Sequence, residues 1–258
     1  MDKLIALYGE REAENLRRLI KDYCKRHPDN ISNYKELLRR IESGEPIQYV
    51  LGEAYFYENT FIVNQNVLIP RPETEELVHL ILKNHPNIPL SLIDIGTGSG
   101  CIAISIKKNR PLWTVAATDI DDKALLVAEN NAAILKADIH FSLVNILEAK
   151  SNCPYDIIVS NPPYIPESEQ VLMHSNVLDY EPSRALFVPD ESPLLFYDYI
   201  CDYVKKPPYH KKYLYLEINE FYADAIIDLL HKKDFHEIVA HKDLQGKKRM
   251  VSSIAPEK

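Results

Sequence analysis

Glycine is scarce in this chain, with seven in 258 residues. The backbone therefore has few places to turn left-handed or to let a ligand approach closely, and any cluster of glycines stands out. Cysteine is sparser still, at four. Cys24, Cys101, Cys153 and Cys201 lie far apart with no Cys-x-x-Cys pair. That spacing argues against a zinc site and a disulfide framework, and leaves buried free thiols in a reducing compartment. The nine histidines fall at no ligand spacing, so no metal is expected. No apolar run reaches the roughly 18 residues of a membrane span. The first residues are charged from Asp2 onward and lack an apolar signal core. A cytoplasmic protein without membrane attachment is expected. Basic charge is in deficit, with 30 Lys and Arg against 38 Asp and Glu and a formal net charge of −8. That balance disfavours a protein that grips nucleic acid through its phosphates.

What is present suffices for a core. Hydrophobic residues make up 46% and charged residues 26%, and the length favours one large α/β domain with a small appendage. Leu4, Leu7, Leu16, Leu19, Ile20 and Tyr23 recur mostly at three- and four-residue steps, which predicts helices over 1–43. Leu16, Leu19, Ile20 and Tyr23 form the expected core stripe, with a break at 25–33 around Pro28. Tyr55-Phe56-Tyr57 and Phe61-Ile62-Val63 flank Glu58-Asn59-Thr60, which reads as a β-hairpin. The organisation expected is a small helical domain at 1–50, a hairpin linker at 51–70 and the main domain at 71–258.

From residue 72 onward helices and strands alternate. Helices are expected at 73–84, 101–109, 121–136, 192–204 and 221–232. Strands are expected at 90–95, 114–118, 140–144, 156–160, 212–218, 236–241 and 249–254, the last two joined by a turn at Gly246. Alternation of this kind predicts a mostly parallel sheet with helices on both faces. The final strand is short-linked enough to run antiparallel.

Three of the seven glycines sit together in Asp94-Ile95-Gly96-Thr97-Gly98-Ser99-Gly100, after a predicted strand and before a predicted helix. That context suits a nucleotide-type ligand. The spacing is Gly-x-Gly-x-Gly, and Cys101 stands where a dinucleotide fingerprint wants glycine, so a pyrophosphate is disfavoured. Asp119 ends the next strand 23 residues beyond Gly96, placed to accept ribose hydroxyls. S-adenosylmethionine is the adenosine ligand without phosphates that fits. The other reading is a tight structural turn with Asp119 capping a helix.

The fourth predicted strand runs into Asn161-Pro162-Pro163-Tyr164. Two prolines cannot continue a central strand, so the turn lies at its carboxyl end, where open α/β sheets bind ligands. If the first and fourth strands are neighbours, this turn and the glycine loop share a cleft. An amide nitrogen is a poor nucleophile. The Asn161 side-chain oxygen and the Pro162 carbonyl can each accept one N–H of a target NH₂ group and aim its nitrogen. Tyr164 can supply a flat wall.

In these segments the sequence resembles the release-factor glutamine methyltransferases, the HemK/PrmC family. Gly44-Glu45-Pro46-Ile47-Gln48-Tyr49, Leu68-Ile69-Pro70-Arg71-Pro72-Glu73-Thr74-Glu75, the glycine loop, 160–165, Glu181-Pro182 and Asp243-Leu244-Gln245-Gly246 with Arg249 match in order, across about residues 44–254. The resemblance implies a seven-stranded Rossmann-like methyltransferase sheet whose last strand is antiparallel. It implies transfer of methyl to the glutamine N5 of the Gly-Gly-Gln motif in class I peptide chain release factors. Gly96, Thr97, Gly98, Ser99, Gly100 and Asp119 would bind S-adenosylmethionine, with Asn145 and Ile146 at the adenine. Asn161 would touch both cofactor and glutamine, with Pro162, Pro163 and Tyr164 lining the glutamine pocket. Catalysis would rest on Asn161, Pro162 and Tyr164. The sequence departs from the family at Asn145-Ile146, where an acid and an aromatic are usual, and at Glu217-Ile218-Asn219, where Glu-Ile-Gly is usual. The region before Gly44 is short for the family. A monomer with no nucleic-acid substrate is expected. Rival readings are methylation of a ribosomal-protein glutamine, adenine amino-methylation of nucleic acid, and a binding module without catalysis. The short region after Tyr164 speaks against nucleic-acid recognition.

Arg71, Glu73 and Glu75 read equally well as ligand contacts or as helix-start charges. Glu217 reads as a structural support for the site, and Trp113 as packing.

Overall fold

A computed structural model of the protein describes residues 3–28, 34–149 and 152–257. Four helices come first: α1 (Lys3–Tyr8), α2 (Glu10–Arg26), α3 (Tyr34–Glu42) and α4 (Ile47–Leu51). Residues 29–33 of the expected break lie outside the described residues. Ala13, Leu16, Ile20 and Cys24 recur at three- and four-residue steps and face a small core with Leu4, Leu37, Ile41 and Val50. Leu19, expected in that stripe, is 40% exposed. One residue before Ile20, it is rotated about 100° off the buried face.

The hairpin pairs β1 (Glu53–Phe56) with β2 (Asn59–Ile62), antiparallel. Its turn is Tyr57-Glu58, with φ of 43° and 63°, one residue earlier than the expected Glu58–Thr60. A two-residue loop with both residues left-handed matches the strand twist. The Tyr57 N–H donates to Glu75 Oε1 at 2.9 Å, which anchors the strained turn. Buried Asn131 ties the hairpin to the main domain. Its Oδ1 accepts from Ile62 N at 2.7 Å and its Nδ2 donates to Ile62 O at 2.9 Å and to Ser99 O at 2.9 Å.

The main body then alternates as expected. It runs α5 (Pro72–Asn84), β3 (Ser91–Ile95), α6 (Cys101–Asn109), β4 (Thr114–Asp119), α7 (Asp122–Leu135), β5 (Ile139–Leu143) and β6 (Ile157–Ser160). After β6 come β7 (Ile165–Pro166), α8 (Ser175–Tyr180) and β8 (Phe187–Val188). This excursion, in which β7 pairs parallel with β8, replaces the bare connection expected after Tyr164. Its elements are too short for periodicity to reveal. The chain closes with α9 (Leu195–Val204), β9 (Tyr213–Glu217), α10 (Ala223–Lys232), β10 (His236–Lys242) and β11 (Lys248–Ile254).

Seven strands form one sheet in the order β10-β11-β9-β6-β3-β4-β5. β11 runs antiparallel to both β10 and β9, and the remaining pairs are parallel. The central strands read as continuous apolar runs because both faces are covered. Leu92, Ile157, Val159 and Tyr215 face a core that includes Leu77 and Ile81 of α5, Ile102 and Ile106 of α6, and Trp113. Ile93, Ile158, Leu214 and Leu216 face the other core, with Ile200 of α9 and Ile226 of α10. Trp113 is fully buried, as its packing role requires. All four cysteines are buried. Among the described residues no helix is long and apolar enough to cross a membrane.

Candidate active site

The chain winds from β3 through β4 to β5 on one side, then returns to place β6 on the other side of β3. That reversal opens a crevice at the carboxyl ends of β3 and β6. The condition set by the sequence is met, since Ile95 pairs with Ser160. The Ser160 hydroxyl also donates to Ile95 O at 2.7 Å. A cavity of about 460 Å³ lies there, within the usual range for small-molecule sites.

Gly96 and Gly98 line the cavity with φ of 75° and 54°, and a side chain added at either would enter open space. Their bare backbone is thus a floor that a ligand can approach. Thr97 and Ser99 also line it. Gly100 does not. At φ 81° a Cβ there would stand 2.9 Å from Ile104 Cδ1 and 3.2 Å from Ala128 Cβ. Packing of α6 against α7 accounts for the absence of a side chain at this third glycine.

Asp119 ends β4 and faces the same space. Its Oδ2 accepts from Gly98 N at 2.8 Å and its Oδ1 from Asp121 N at 3.0 Å. The carboxylate therefore props the loop open and keeps lone pairs free for hydroxyl donors. Capping of α7 falls instead to Asp121, whose side chain accepts from Lys123 N. Burial pushes the Asp119 carboxyl up, opposed by its backbone donors. Beneath the loop, Asp94 is fully buried, accepts from Thr97 Oγ1 at 2.7 Å and leaves Oδ1 without a partner. Burial pushes its carboxyl up to about 7.

Val144, Asn145 and Ile146 line the cavity beyond β5. The Asn145 side chain is committed to its own turn. It accepts from Leu147 N at 3.1 Å and donates to Glu148 at 3.0 Å. Ile146 contributes apolar surface.

Asn161, Pro162 and Pro163 line the opposite wall. Asn161 Nδ2 donates to Thr74 Oγ1 at 3.2 Å. Its Oδ1 takes no hydrogen bond among the described residues. Tyr164 stands outside the lining. Its ring packs against the α9/α10 core, and its hydroxyl donates to Glu217 Oε1 at 3.4 Å. Burial raises that hydroxyl far above its ordinary value.

Arg71, Glu73 and Glu75 divide. Arg71 lines the cavity and ion-pairs at 2.6 Å with buried Glu181, while Glu75 holds the hairpin. Thr74, which the sequence reading placed in the segment at 68–75 without a role of its own, is 2% exposed and joins Asn161 to Glu217, donating to Glu217 Oε2 at 2.7 Å. A threonine in the first turn of a helix, near Pro72, looks in sequence like an ordinary helix start, so nothing local marked that role. Among the described residues no cluster suits a metal ion.

Comparison with known proteins agrees with this geometry. A family model described as "Methyltransferase small domain" matches residues 74–179. Over 230 residues the chain is 45% identical to a release factor glutamine methyltransferase of Flavobacterium psychrophilum, covering 86% of this chain and 81% of that one. It is 44% identical to the release factor glutamine methyltransferase of Bacteroides thetaiotaomicron, covering 85% and 79%.

The chain belongs to the release factor glutamine methyltransferase family.

The family is one of S-adenosylmethionine-dependent enzymes, so the chain is a methyltransferase. The fold agrees. A methyltransferase from Pyrococcus furiosus superposes with a TM-score of 0.55 at 17% identity, covering 76% of this chain and 88% of that one. In this chain the glycine loop and the diproline turn meet across the β3/β6 crevice.

Proposed function

We propose that this enzyme transfers a methyl group from S-adenosylmethionine to the side-chain amide nitrogen of the glutamine in the Gly-Gly-Gln motif of class I peptide chain release factors. The observation that carries this reading is the unspent oxygen of Asn161. Its NH₂ is engaged by Thr74, so the residue offers the cavity an acceptor. An acceptor suits a substrate that arrives as an NH₂ group.

The residues present fit the cofactor. Gly96 and Gly98 offer a floor without side chains, Asp119 keeps acceptor capacity for ribose hydroxyls, and Val144 and Ile146 supply apolar surface for a base. When bound, the cofactor supplies an electrophilic methyl on a sulfonium. The chain's own residues do the rest. Asn161 Oδ1 and the Pro162 carbonyl each hold one N–H of the glutamine amide, which fixes its nitrogen toward the methyl donor. Both dipoles favour the positive charge that grows on that nitrogen. The two proline rings keep this corner rigid, so little reorganisation is needed. Once methylated, the nitrogen is acidic enough to lose its proton to water, and no buried base is required. The N-terminal helices, with a core of their own, serve to dock the release factor.

The test supplies labelled S-adenosylmethionine together with a release factor, a ribosomal-protein mixture or nucleic acid. Label on the Gly-Gly-Gln peptide is expected. Label on a ribosomal protein or on adenine, with none on the release factor, overturns the reading. The docking role predicts that Leu19→Ser raises KM for the intact release factor and leaves turnover of a short Gly-Gly-Gln peptide unchanged. An unchanged KM for both removes Leu19 from the docking surface.

A further inference from the structure

We propose that Glu217, acting through Thr74, is a positioning residue that sets which end of the Asn161 amide faces the substrate. The inference rests on the glutamine-methylation reading above and names how its key acceptor is held.

The argument is a proton count. The Thr74 hydroxyl has one proton to give and lone pairs to receive. It stands 2.7 Å from Glu217 Oε2 and 3.2 Å from Asn161 Nδ2. An ionised carboxylate only accepts, so the Thr74 proton goes to Glu217. Thr74 can then only accept from Asn161, which turns the NH₂ toward Thr74 and leaves Oδ1 for the substrate. Protonate Glu217 and the order can reverse. Its O–H donates to Thr74, the Thr74 proton is released toward Asn161, and the amide is satisfied with its oxygen turned inward. The cavity then receives an NH₂, which cannot bind another NH₂. The charge on Glu217 is thereby coupled to acceptor or donor character one residue away from the substrate.

The surroundings make that charge adjustable. Glu217 ends β9 and is 1% exposed. Facing it are Glu73 and Thr74 from α5, Tyr164 from the diproline turn, Tyr197 from α9, Cys101 from α6 and Arg249 from β11. Tyr197 Oη donates to the Glu217 carbonyl at 3.1 Å. Arg249, with Asp243 3.5 Å away, and the two hydroxyl donors favour the carboxylate. Burial and Glu73 oppose it, and the balance puts the group up at about 7.

Two measurements test this. The first uses the whole protein with ¹⁵N label and reads the Asn161 side-chain amide resonance against pH, with no substrate. It is expected to move in a single step near pH 7 in the wild type and to stay still in Glu217→Gln. A resonance that ignores pH in the wild type overturns the proposal whatever the substrate proves to be. The second is kinetic. Thr74→Val is expected to lower kcat about 10–10²-fold with KM for S-adenosylmethionine within about twofold. Thr74→Ser, which keeps the hydroxyl, recovers most of kcat and the acidic limb of the pH profile. Glu217→Gln gives a low kcat without that limb. Wild-type kcat and pH profile in Thr74→Val sink the positioning role alone. Absence of any wild-type turnover on the release factor sinks the substrate reading instead, and the resonance still decides the role of Glu217.

Discussion

At the scale of residues, the proposed chemistry rests on a single amide oxygen, that of Asn161. Asn161 suits it because Thr74 engages one N–H of its NH₂ and leaves Oδ1 for the cavity. Truncating it removes one preorganised acceptor, so Asn161→Ala is expected to lower kcat by about 10²–10³. Single-turnover kinetics with saturating substrate will check this, and near-normal turnover would contradict the mechanism. Asp119 has its proposed part in binding. Asp119→Ala is expected to weaken S-adenosylmethionine affinity by about 1.5–3 kcal/mol, the range for a hydrogen bond to a charged group. Isothermal titration reads this directly, and an unchanged affinity would remove Asp119 from the site. The position of Asn161 and Asp119 at the cavity was visible in the sequence because each stands at the carboxyl end of a predicted strand. The roles of Thr74 and Gly100 were not. Thr74 depends on residues 87 and 143 positions away, and Gly100 on α7. Contacts across such separations leave no local pattern.

Among elements, the hairpin shows how a small piece is held. β1 and β2 alone make a two-stranded sheet, which is marginal in water. Asn131 secures its edge by satisfying both backbone groups of Ile62, and it reaches the glycine loop through Ser99 O. Asn131→Ala leaves three backbone groups unpaired, each costly when buried. A loss of about 2–3 kcal/mol is expected from urea unfolding, with m unchanged. A loss under about 0.5 kcal/mol would show that water replaces the side chain. The hairpin itself was legible from its alternation. Its tie to α7 was not, since an asparagine in a helix reads as surface. In this structure it is 1% exposed.

Two buried carboxyls tie the whole molecule to pH. Burial pushes Asp94 and Glu217 up to about 7 from ordinary values of 3.8 and 4.5. Each folded group therefore holds its proton more tightly than the unfolded chain does. Their contribution to stability is fully present below about pH 4 and is lost as pH rises through 7. Thermal unfolding is expected to show Tm falling across that window once other groups are accounted for. Glu217→Gln flattens part of the fall and raises Tm at pH 8.5 by about 2–4 °C. A Tm no higher than wild type at that pH would show that the carboxylate is well solvated or compensated. Raised stability with lost activity is the expected trade at a functional site.

The order of helices and strands, the mostly parallel sheet and the two cavity-lining turns follow from local patterning, because hydrophobic period and turn chemistry act within a few residues. Gly96, Gly98, Asp119, Asn161, Pro162 and Pro163 were recoverable on that basis as cavity-lining residues. Which strand lies beside β3, and so whether the two turns meet, depended on the chain folding back past its own first strand. Neighbours far apart in sequence then settled the finer assignments. The α7 helix claimed Gly100, the α9/α10 core took the ring of Tyr164, and Thr74 came to stand between Glu217 and Asn161. A hydrogen bond or close packing contact is decided by distance in space, and separation along the chain says nothing about it.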